Sequence, residues 1–242
     1  MNTVDIFIKS YGKDYKLLHY AIKSILKNVT GWRKIILLTP DSDKLDYTFD
    51  DTIEHFKVHE EGNGYLFQQW CKISAHRYSD AKFIMFADSD CIFDKPLNLQ
   101  DLVKGGKPEI LYTSYDKVGE AICWKKPTED FIKEPVEFEF MRRNCMIYRT
   151  STLRAIAEYE QNLKHNILTA DKFSEFNAMG AFAFKYEREN YTFVNTDNWE
   201  YTEPFHIQLW SWAEKGNGNP PHPEEWAKIV RVIKEVFNED LK

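Results

Sequence analysis

The sequence has no apolar run long enough to cross a membrane. Its apolar stretches, such as IILL at positions 35–38, are far shorter than the roughly 20 residues of a membrane-spanning helix. Its opening, MNTVDIFIKS, is strand-like and already carries charges at Asp5 and Lys9, unlike a signal peptide. Basic residues are not in excess, and a net charge of −6 gives no support to nucleic-acid binding over the whole surface. We therefore expect a cytoplasmic protein without a transmembrane segment.

Cysteine is scarce and shows no functional pattern. The four cysteines form no CxxC pair and show none of the spacings of a disulfide-bonded secreted domain: Cys71, Cys91, Cys123 and Cys145. We expect four reduced thiols in or near the core of an intracellular protein.

Aromatic residues, in contrast, are abundant. They make up 15% of the 242 residues, within a globular balance of 43% hydrophobic and 29% charged residues. A chain of this length fits one α/β domain, or one domain with a lobe appended. The rings indicate either an aromatic-rich core or a cleft lined with rings, which sugar and base ligands favour.

The first 95 residues predict strands and helices in the order β-α-β-β-α-β. The predicted strands are VDIFIKS, KIILLT, FKVHE and KFIMFA. The second predicted helix is YLFQQWCKISAHRYSD, and the first follows from an apolar stripe of Leu18, Ile22, Ile25 and Val29. Nearly continuous apolar strands are typical of a parallel sheet that is covered on both faces.

The pattern is looser after Pro96. EILYTSYD, CMIYRT and YTFVNT predict strands, and residues 125–140 predict irregular chain. STLRAIAEYEQNLKH predicts one helix capped by Thr150 or Ser151, and FSEFNAMGAFAFKY a second helix or a strand-to-helix turn. After the linker GNGNPP, a helix is expected from about Pro223, with an inward face of Trp226, Val230, Ile233 and Phe237.

The stretch KFIMFADSDCIF, residues 82–93, ends an apolar strand in two carboxylates, Asp88 and Asp90. Ionised carboxylates at the edge of a core are costly unless a metal ion, a basic side chain or water meets them. A calcium EF-hand loop is excluded, because Phe93 and Leu99 occupy the positions of its glycine and glutamate. Open α/β sheets bind ligands at the carboxyl ends of their strands, which favours a functional role.

Two interpretations of these aspartates stay open. In the first, strand alternation sends Asp88 and Asp90 to one side, where they bind Mg²⁺ or Mn²⁺ against a diphosphate. In the second, Asp88 is the nucleophile of a phosphatase of the haloacid-dehalogenase type. The second is weaker, because Ile92 stands where that motif usually has threonine or valine, and two strand–helix units precede it.

Two segments, DIFIKSYGKDYKLLHYAIKSI and QQWCKISAHRYSDAKFIMFADSDCIF, resemble the nucleotide-sugar half of GT-A glycosyltransferases. The similarity is to bacterial and phage nucleotide-diphospho-sugar transferases, and it covers residues 3–95 well and residues 140–210 loosely. It implies an α/β fold of the GT-A type, with a Rossmann-like mixed sheet and flanking helices. The implied transferase domain spans 1–215, with a donor-nucleotide half at 1–95, an acceptor half at 96–215, and a linker and helix packed on it at 216–242.

The resemblance also implies transfer of a sugar from a nucleoside diphosphate, most often UDP, with Mn²⁺ or Mg²⁺ as the cofactor. The implied metal ligands are Asp88, Asp90 and His206, and the implied nucleotide-sugar contacts are Ser10, Tyr11, Gly12, Gln69, Lys72, Asp88 and Ser89. Three of these have simpler interpretations. His206 lies in an aromatic run and could be a packed histidine, Lys72 could solvate a helix face, and Tyr11 could cap a turn.

On the acceptor side, the resemblance implies that Glu175 is a general base or binds the acceptor hydroxyl, with Asp171 in reserve. The alternative is a glutamate that only stabilises a helix N-terminus. Trp199 and Trp210 would form an acceptor platform or part of the core.

The implied acceptor is a glycan or a phage-modified DNA base. A DNA acceptor would need a local basic channel around Lys125, Lys126, Arg142 and Arg143. A non-catalytic carbohydrate-binding module on the same fold is the alternative from another class of protein.

Overall fold

The computed structural model describes residues 3–44, 51–142, 145–198, 206–209 and 223–240. Those residues contain thirteen β-strands and seven α-helices. The strands are β1 (Val4–Lys9), β2 (Val29–Thr30), β3 (Trp32–Pro40), β4 (Ile53–Val58), β5 (Phe83–Phe86), β6 (Cys91–Ile92), β7 (Leu97–Asn98), β8 (Val103–Lys104), β9 (Lys107–Ser114), β10 (Phe138–Glu139), β11 (Ile147–Arg149), β12 (Thr192–Asn195) and β13 (Ile207–Gln208). The helices are α1 (Tyr15–Asn28), α2 (Gly64–Ile73), α3 (Lys125–Ile132), α4 (Thr150–Tyr159), α5 (Leu163–Leu168), α6 (Glu175–Tyr186) and α7 (Pro223–Phe237).

A five-stranded sheet in the order β11-β5-β1-β3-β4 forms the centre of the fold. Strands β1, β3, β4 and β5 pair in parallel, and β11 joins the edge antiparallel to β5. The four strands and two helices predicted for the first half are therefore confirmed, with the short strand β2 as an unpredicted addition after α1, and the mixed α/β fold with flanking helices is confirmed as well. A smaller sheet, β10-β9-β12 with β8 paired to β9, lies in the second half of the chain.

Both faces of the central sheet are buried, because alternate residues of each strand point to opposite sides. In β1, Phe7 packs into the cluster that holds Trp70 of α2. Its neighbours Ile6 and Ile8 pack into the other cluster, with Ile22 of α1. Helices therefore cover the sheet on both sides, which leaves the strand ends as the exposed rims where polar groups can gather.

The carboxyl ends of the four parallel strands meet at one rim. Contacts between the loops that follow them hold this rim together. Lys9, the last residue of β1, places its Nζ 3.4 Å from Glu60 Oε2, beyond the end of β4. The amide of Gly12, after β1, donates a 2.7 Å hydrogen bond to Asp43 Oδ2, after β3.

The single helix predicted after β11 is two helices, α4 and α5, and neither predicted cap is correct. Arg149 occupies the cap position and makes no side-chain capping bond. Thr150 begins α4 and donates its Oγ1 proton to Ala81 O over 2.6 Å, so its hydroxyl ties the helix to the chain before β5. Glu160 ends the first helix, where its carboxylate accepts a 3.4 Å hydrogen bond from the amide of Asn162.

The expectation of irregular chain at 125–140 is wrong, because α3 and β10 lie there. Pro127 falls in the first turn of α3, where a missing N–H removes no helical hydrogen bond. Phe131 and Ile132 at the end of the helix are buried in the core.

The inward face predicted for the last helix is confirmed at Ile233 and Phe237 and is wrong at Val230. Val230 is 40% exposed, whereas Ile229, Val232 and Ile233 are buried against α1. Phe237 does face inward, with its ring centroid 5.4 Å from that of Tyr20. The side chain of Trp226 is outside the described part of the structure. None of the described helices has the length and apolar content that a membrane crossing requires.

Candidate functional site

The two aspartates lie in a turn at the carboxyl end of β5. The strand ends at Phe86, and the amide of Cys91 donates a 3.2 Å hydrogen bond to Asp88 O, which closes the turn. Strand alternation is therefore the wrong reason for their convergence. The turn brings together one oxygen of Asp88, one oxygen of Asp90 and the sulfur of Cys91, all within 4.8 Å of one another.

This group of donors fits a divalent cation. Carboxylate oxygens are the ligands that Mg²⁺ and Mn²⁺ prefer, and ligand atoms on one octahedral ion lie at comparable separations. Asp90 is buried, and the Asp88 side chain keeps 22% of its surface exposed, so the group opens to one side. The carboxylates therefore suit the ions predicted from the sequence.

Cys91 is the member of the group that the sequence analysis missed. Burial raises the pKa of its thiol well above the ordinary value, and the charges of Asp90 and Asp88 raise it further. A thiol is a good metal ligand only after it loses its proton, so Cys91 is a weaker donor than the two carboxylates at neutral pH. Its position directly after the DSD string was the available signal.

Lys72 is the basic side chain that contacts Asp88, one of the two aspartates. Its Nζ lies 2.7 Å from Asp88 Oδ1 and 2.8 Å from Glu175 Oε1. The same Nζ lies 4.7 Å from the ring centroid of Phe176. The lysine is buried, so the interpretation that it solvates a helix face is wrong.

The charge state of Lys72 follows from its partners. Burial by itself would lower the pKa of the ammonium, but the charges of Asp88 and Glu175, with hydrogen bonds to both, outweigh burial and raise it. Lys72 is therefore a buried cation shared by two carboxylates. Because one positive charge faces two negative ones, the trio carries a net charge of about −1 before Asp90 is considered.

Glu175 begins α6, as predicted, and α2 fixes its position. Gln69 and Lys72 lie three residues apart on α2, on one face of the helix. Gln69 Oε1 accepts a 3.1 Å hydrogen bond from the amide of Glu175, and Lys72 holds its carboxylate. Ser174 caps the helix, because its Oγ accepts a 3.4 Å hydrogen bond from the amide of Asn177. Gln69, Lys72, Asp88 and Glu175 are thus brought together.

The loop after β1 lies at the same rim. Its residue Asp14 accepts a 3.4 Å hydrogen bond from the hydroxyl of Ser89, inside the acidic turn. The carboxylate of Asp43, in the loop after β3, also contacts this loop. It accepts one hydrogen bond from the amide of Gly12 and another, of 3.0 Å, from the hydroxyl of Tyr15. Ser10 is buried, and its Oγ has no hydrogen-bond partner among the described residues. A buried hydroxyl of this kind is suited to contact a ligand.

His206 lies behind the acidic turn. Its segment pairs with β6 through β13, and the amide of Leu209 donates a 2.9 Å hydrogen bond to Asp90 O. The imidazole is buried, with Nδ1 3.4 Å from Cys145 Sγ and the ring 5.8 Å from that of Phe93. Within the described residues, the group of mutually close donors does not include it. Its role as a metal ligand stays a prediction.

Among the other predicted acceptor residues, Asp171 belongs to the described part of the chain, where it is exposed, four residues before α6. Trp199 and Trp210 lie outside the described residues, as does Arg143 of the basic channel. The other three members of that channel have acidic neighbours, Lys125 with Glu129, Lys126 with Asp130, and Arg142 with Glu139. The described part of the channel is therefore a set of ion pairs.

The mostly parallel central sheet and the helices on both of its faces form a GT-A-like α/β fold. The structure of the galactosyltransferase LgtC, solved with donor and acceptor sugar analogs, is similar with a TM-score of 0.51. The similarity covers 79% of this chain and 73% of that chain at 11% identity, and it shows the fold alone. The chain belongs to DUF6492, a family of unknown function, whose model matches residues 19–196.

A second solved structure is similar to a lesser degree. It is a Bacillus anthracis protein assigned as a glucose-1-phosphate thymidylyltransferase, in complex with sucrose. Its TM-score is 0.47 at 11% identity, over 81% of this chain and 88% of that chain. No curated protein sequence matches the chain. The function therefore has to be inferred from the residues at the rim.

Proposed function

We propose that the protein is a metal-dependent glycosyltransferase that moves a sugar from a nucleoside diphosphate sugar, a UDP-sugar, to an acceptor hydroxyl. The observation that carries this proposal is the convergence of Asp88 and Asp90 at the carboxyl rim of a GT-A-like sheet. Ligands of open α/β sheets bind at that rim. Two carboxylates that leave one side open suit an ion that is also held by phosphate oxygens.

Asp88 and Asp90 would hold Mn²⁺ or Mg²⁺ in this proposal, with His206 as a further predicted ligand. When bound, the ion would supply Lewis-acid neutralisation of the charge that develops on the leaving diphosphate. Ser89 and Asp14 connect the acidic turn to the loop after β1. Ser10, Tyr11 and Gly12 of that loop would contact the nucleoside, and the unpaired Ser10 Oγ supports this role.

Glu175 is the proposed general base or acceptor-orienting residue, and its surroundings support either role. Gln69 and Lys72 hold its backbone and one carboxylate oxygen, so its position is fixed before an acceptor arrives. A preorganised carboxylate can accept the hydroxyl proton, or orient the hydroxyl, without a costly rearrangement. Asp171 is exposed and lacks such support in the described structure.

A glycan is the favoured acceptor over a modified DNA base. DNA binding draws on unpaired basic side chains that neutralise phosphates. Lys125, Lys126 and Arg142 each have a carboxylate neighbour instead. A gel-shift assay with hydroxymethylated DNA, at low and moderate salt, tests the choice: retention of the DNA at moderate salt would reverse it.

Nucleotide binding that depends on the metal tests the proposal. Isothermal titration with UDP should show binding in the presence of Mn²⁺ and little without it. Asp88→Asn and Asp90→Asn should weaken that binding roughly 100-fold, because each removes a charged ligand. Asp80→Asn is the matched control, since Asp80 is exposed and contacts Arg33 before the amino end of β5, far from the carboxyl rim. Equal UDP binding by all four proteins would reject the proposal.

Activity assays separate the remaining alternatives. Hydrolysis of a UDP-sugar at saturating Mn²⁺ should fall about 10²–10⁴-fold in Glu175→Gln if Glu175 is the base, with UDP binding at that Mn²⁺ concentration retained. Phosphate release from small phosphoesters with Mg²⁺, and trapping of Asp88 by beryllium fluoride, would instead indicate the phosphatase. Stabilisation by a sugar alone, without nucleotide or metal, would indicate a binding module.

A further inference from the structure

Lys72 contacts the same carboxylate that is proposed to bind the cation. Its ammonium lies 2.7 Å from Asp88 Oδ1, and Asp88 is the more exposed of the two aspartates. An ammonium at this distance makes a direct, charge-assisted contact with the carboxylate. A divalent cation that binds Asp88 therefore meets a positive charge already in place.

We infer that Lys72 is a built-in counterion that competes with the divalent cation for Asp88 and makes cation and diphosphate binding interdependent. The inference rests on the proposed function, because it concerns the same metal site. Lys72 acts here as a positioning residue: it sets how strongly Asp88 binds the ion.

The competition follows from the charges. Two positive charges that share one carboxylate in a largely buried site repel each other, because the surroundings screen them far less than water does. The ion alone therefore binds weakly while Lys72 is present. The negative charge of a diphosphate offsets the repulsion, so the ion and the diphosphate should each bind more tightly in the presence of the other.

Glu175 gives Lys72 a second partner. Lys72 Nζ lies 2.8 Å from Glu175 Oε1, nearly the same distance as from Asp88. The ammonium can release Asp88 to the ion and still keep a carboxylate next to it, which avoids leaving a buried charge unpaired. A lysine with one carboxylate partner would lack this alternative.

The direct test is Mn²⁺ binding without nucleotide, measured by titration calorimetry and by the electron paramagnetic resonance signal of free Mn²⁺. Lys72→Met should bind Mn²⁺ about tenfold or more tightly than the parent, since the competing charge is gone. Lys34→Met is the matched control. Lys34 pairs with Glu54 near the amino ends of β3 and β4, so its loss removes the same charge at the opposite rim.

A charge-matched double variant guards against misfolding of the single variant. The double variant Lys72→Met/Glu175→Gln removes one ammonium and one carboxylate, so the net charge of the protein is unchanged. Asp88 is then the one carboxylate that loses its ion-pair partner. The double variant too should bind Mn²⁺ more tightly than the parent, whereas Glu175→Gln alone should bind more weakly, because Lys72 then has only Asp88. Circular dichroism checks that each variant is folded.

The outcomes separate this inference from the proposed function. If the parent binds Mn²⁺ through Asp90, as shown by loss in Asp90→Asn, and the Lys72 variants bind it no more tightly, the counterion inference is wrong and the metal site stands. If no Lys72 variant binds Mn²⁺ without nucleotide, the counterion inference is wrong, and the titration of UDP with Mn²⁺ then decides the proposed function separately. Tighter binding in both Lys72 variants, but not in Lys34→Met, supports the inference.

Discussion

Lys72 and Glu175 are 103 residues apart in the chain, and a 2.8 Å ion pair joins Nζ of the first to Oε1 of the second. The contact connects α2, which precedes the acidic turn, to the first residue of α6 in the second half of the chain. Both halves of the fold thus contribute to one charged cluster at the rim of the sheet.

The stability of the fold should depend strongly on Lys72. Lys72→Met leaves Asp88 and Glu175 without their shared cation, and breaking a buried pair in this way costs about 3–5 kcal/mol. Urea unfolding at neutral pH measures the loss as a lower midpoint with an unchanged slope. The double variant Lys72→Met/Glu175→Gln should recover part of the lost stability, because Glu175 no longer carries an unpaired charge. A midpoint equal to that of the parent in Lys72→Met would show that the ion pairs contribute nothing.

Gly180 should not tolerate alanine, although alanine is the better helix former. Gly180 lies inside α6, where a Cβ atom would stand 2.3 Å from the Cβ of Phe140. Helix propensity alone predicts a gain of about 1 kcal/mol for Gly180→Ala, whereas the overlap predicts a net loss of about 1–3 kcal/mol. Thermal or urea unfolding measures whether the free energy of unfolding rises or falls in Gly180→Ala. In a Phe140→Gly background, which removes the Cβ atom as well as the ring, the same substitution should no longer destabilise, and a loss of equal size there would refute the steric explanation.

Asp197 should stabilise the loop after β12 in a pH-dependent way. Its carboxylate accepts hydrogen bonds from Thr113 Oγ1 at 2.6 Å, Ser114 N at 2.8 Å and Ser114 Oγ at 2.7 Å. These bonds, the one from Thr113 first, lower the pKa of Asp197 well below its ordinary value. The stabilisation is present above the unfolded-state pKa of about 3.9 and is lost as the pH falls through the folded-state pKa.

Asp197→Asn should therefore unfold at lower urea than the parent at pH 7. The difference should narrow as the pH falls below about 4, where the unfolded chain takes up the proton. Asp116→Asn, at an exposed position, provides the matched control. A difference between Asp197→Asn and the parent that stays constant from pH 7 to pH 3 would contradict the assignment.

One of the four thiols should react quickly in the native protein. Cys123 is exposed, and the other three cysteines are buried. Burial raises the pKa of Cys71 to about 12 and that of Cys91 well above its ordinary value, so these thiols are protonated as well as shielded. A thiol-reactive chromophore should give one fast equivalent, absent in Cys123→Ser, and all four only in denaturant. Two or more fast equivalents in the native protein would disprove the burial pattern.

The first half of the fold was predictable because its signals are local. The apolar stripe of α1 and the continuous apolar strands β3 and β5 follow periodicities that a single sequence displays. The chain near Pro127 was mispredicted because a proline in the first turn is compatible with a helix. The start of α4 is tied down by a hydrogen bond of Thr150, and its end coincides with one to Glu160, and no periodicity reveals either bond.

Four residues of the charged cluster were named from the sequence, but the contacts among them were not. Asp88 and Asp90 follow from an apolar strand that ends in acid, and Gln69, Lys72 and Glu175 were named from a family resemblance. The ion pairs of Lys72 could not be predicted, because they join residues distant in the chain and depend on how α2 and α6 pack. Cys91 was missed for a related reason, since the turn, not strand alternation, sets which donors converge.

Anomalous diffraction from a crystal grown with Mn²⁺ and UDP tests the proposed metal site most directly. We expect a manganese peak in contact with both Asp88 and Asp90, bridged to the diphosphate, with Lys72 turned toward Glu175 or the phosphates. A structure with UDP bound, no manganese at the acidic turn and Lys72 still on Asp88 would contradict this expectation.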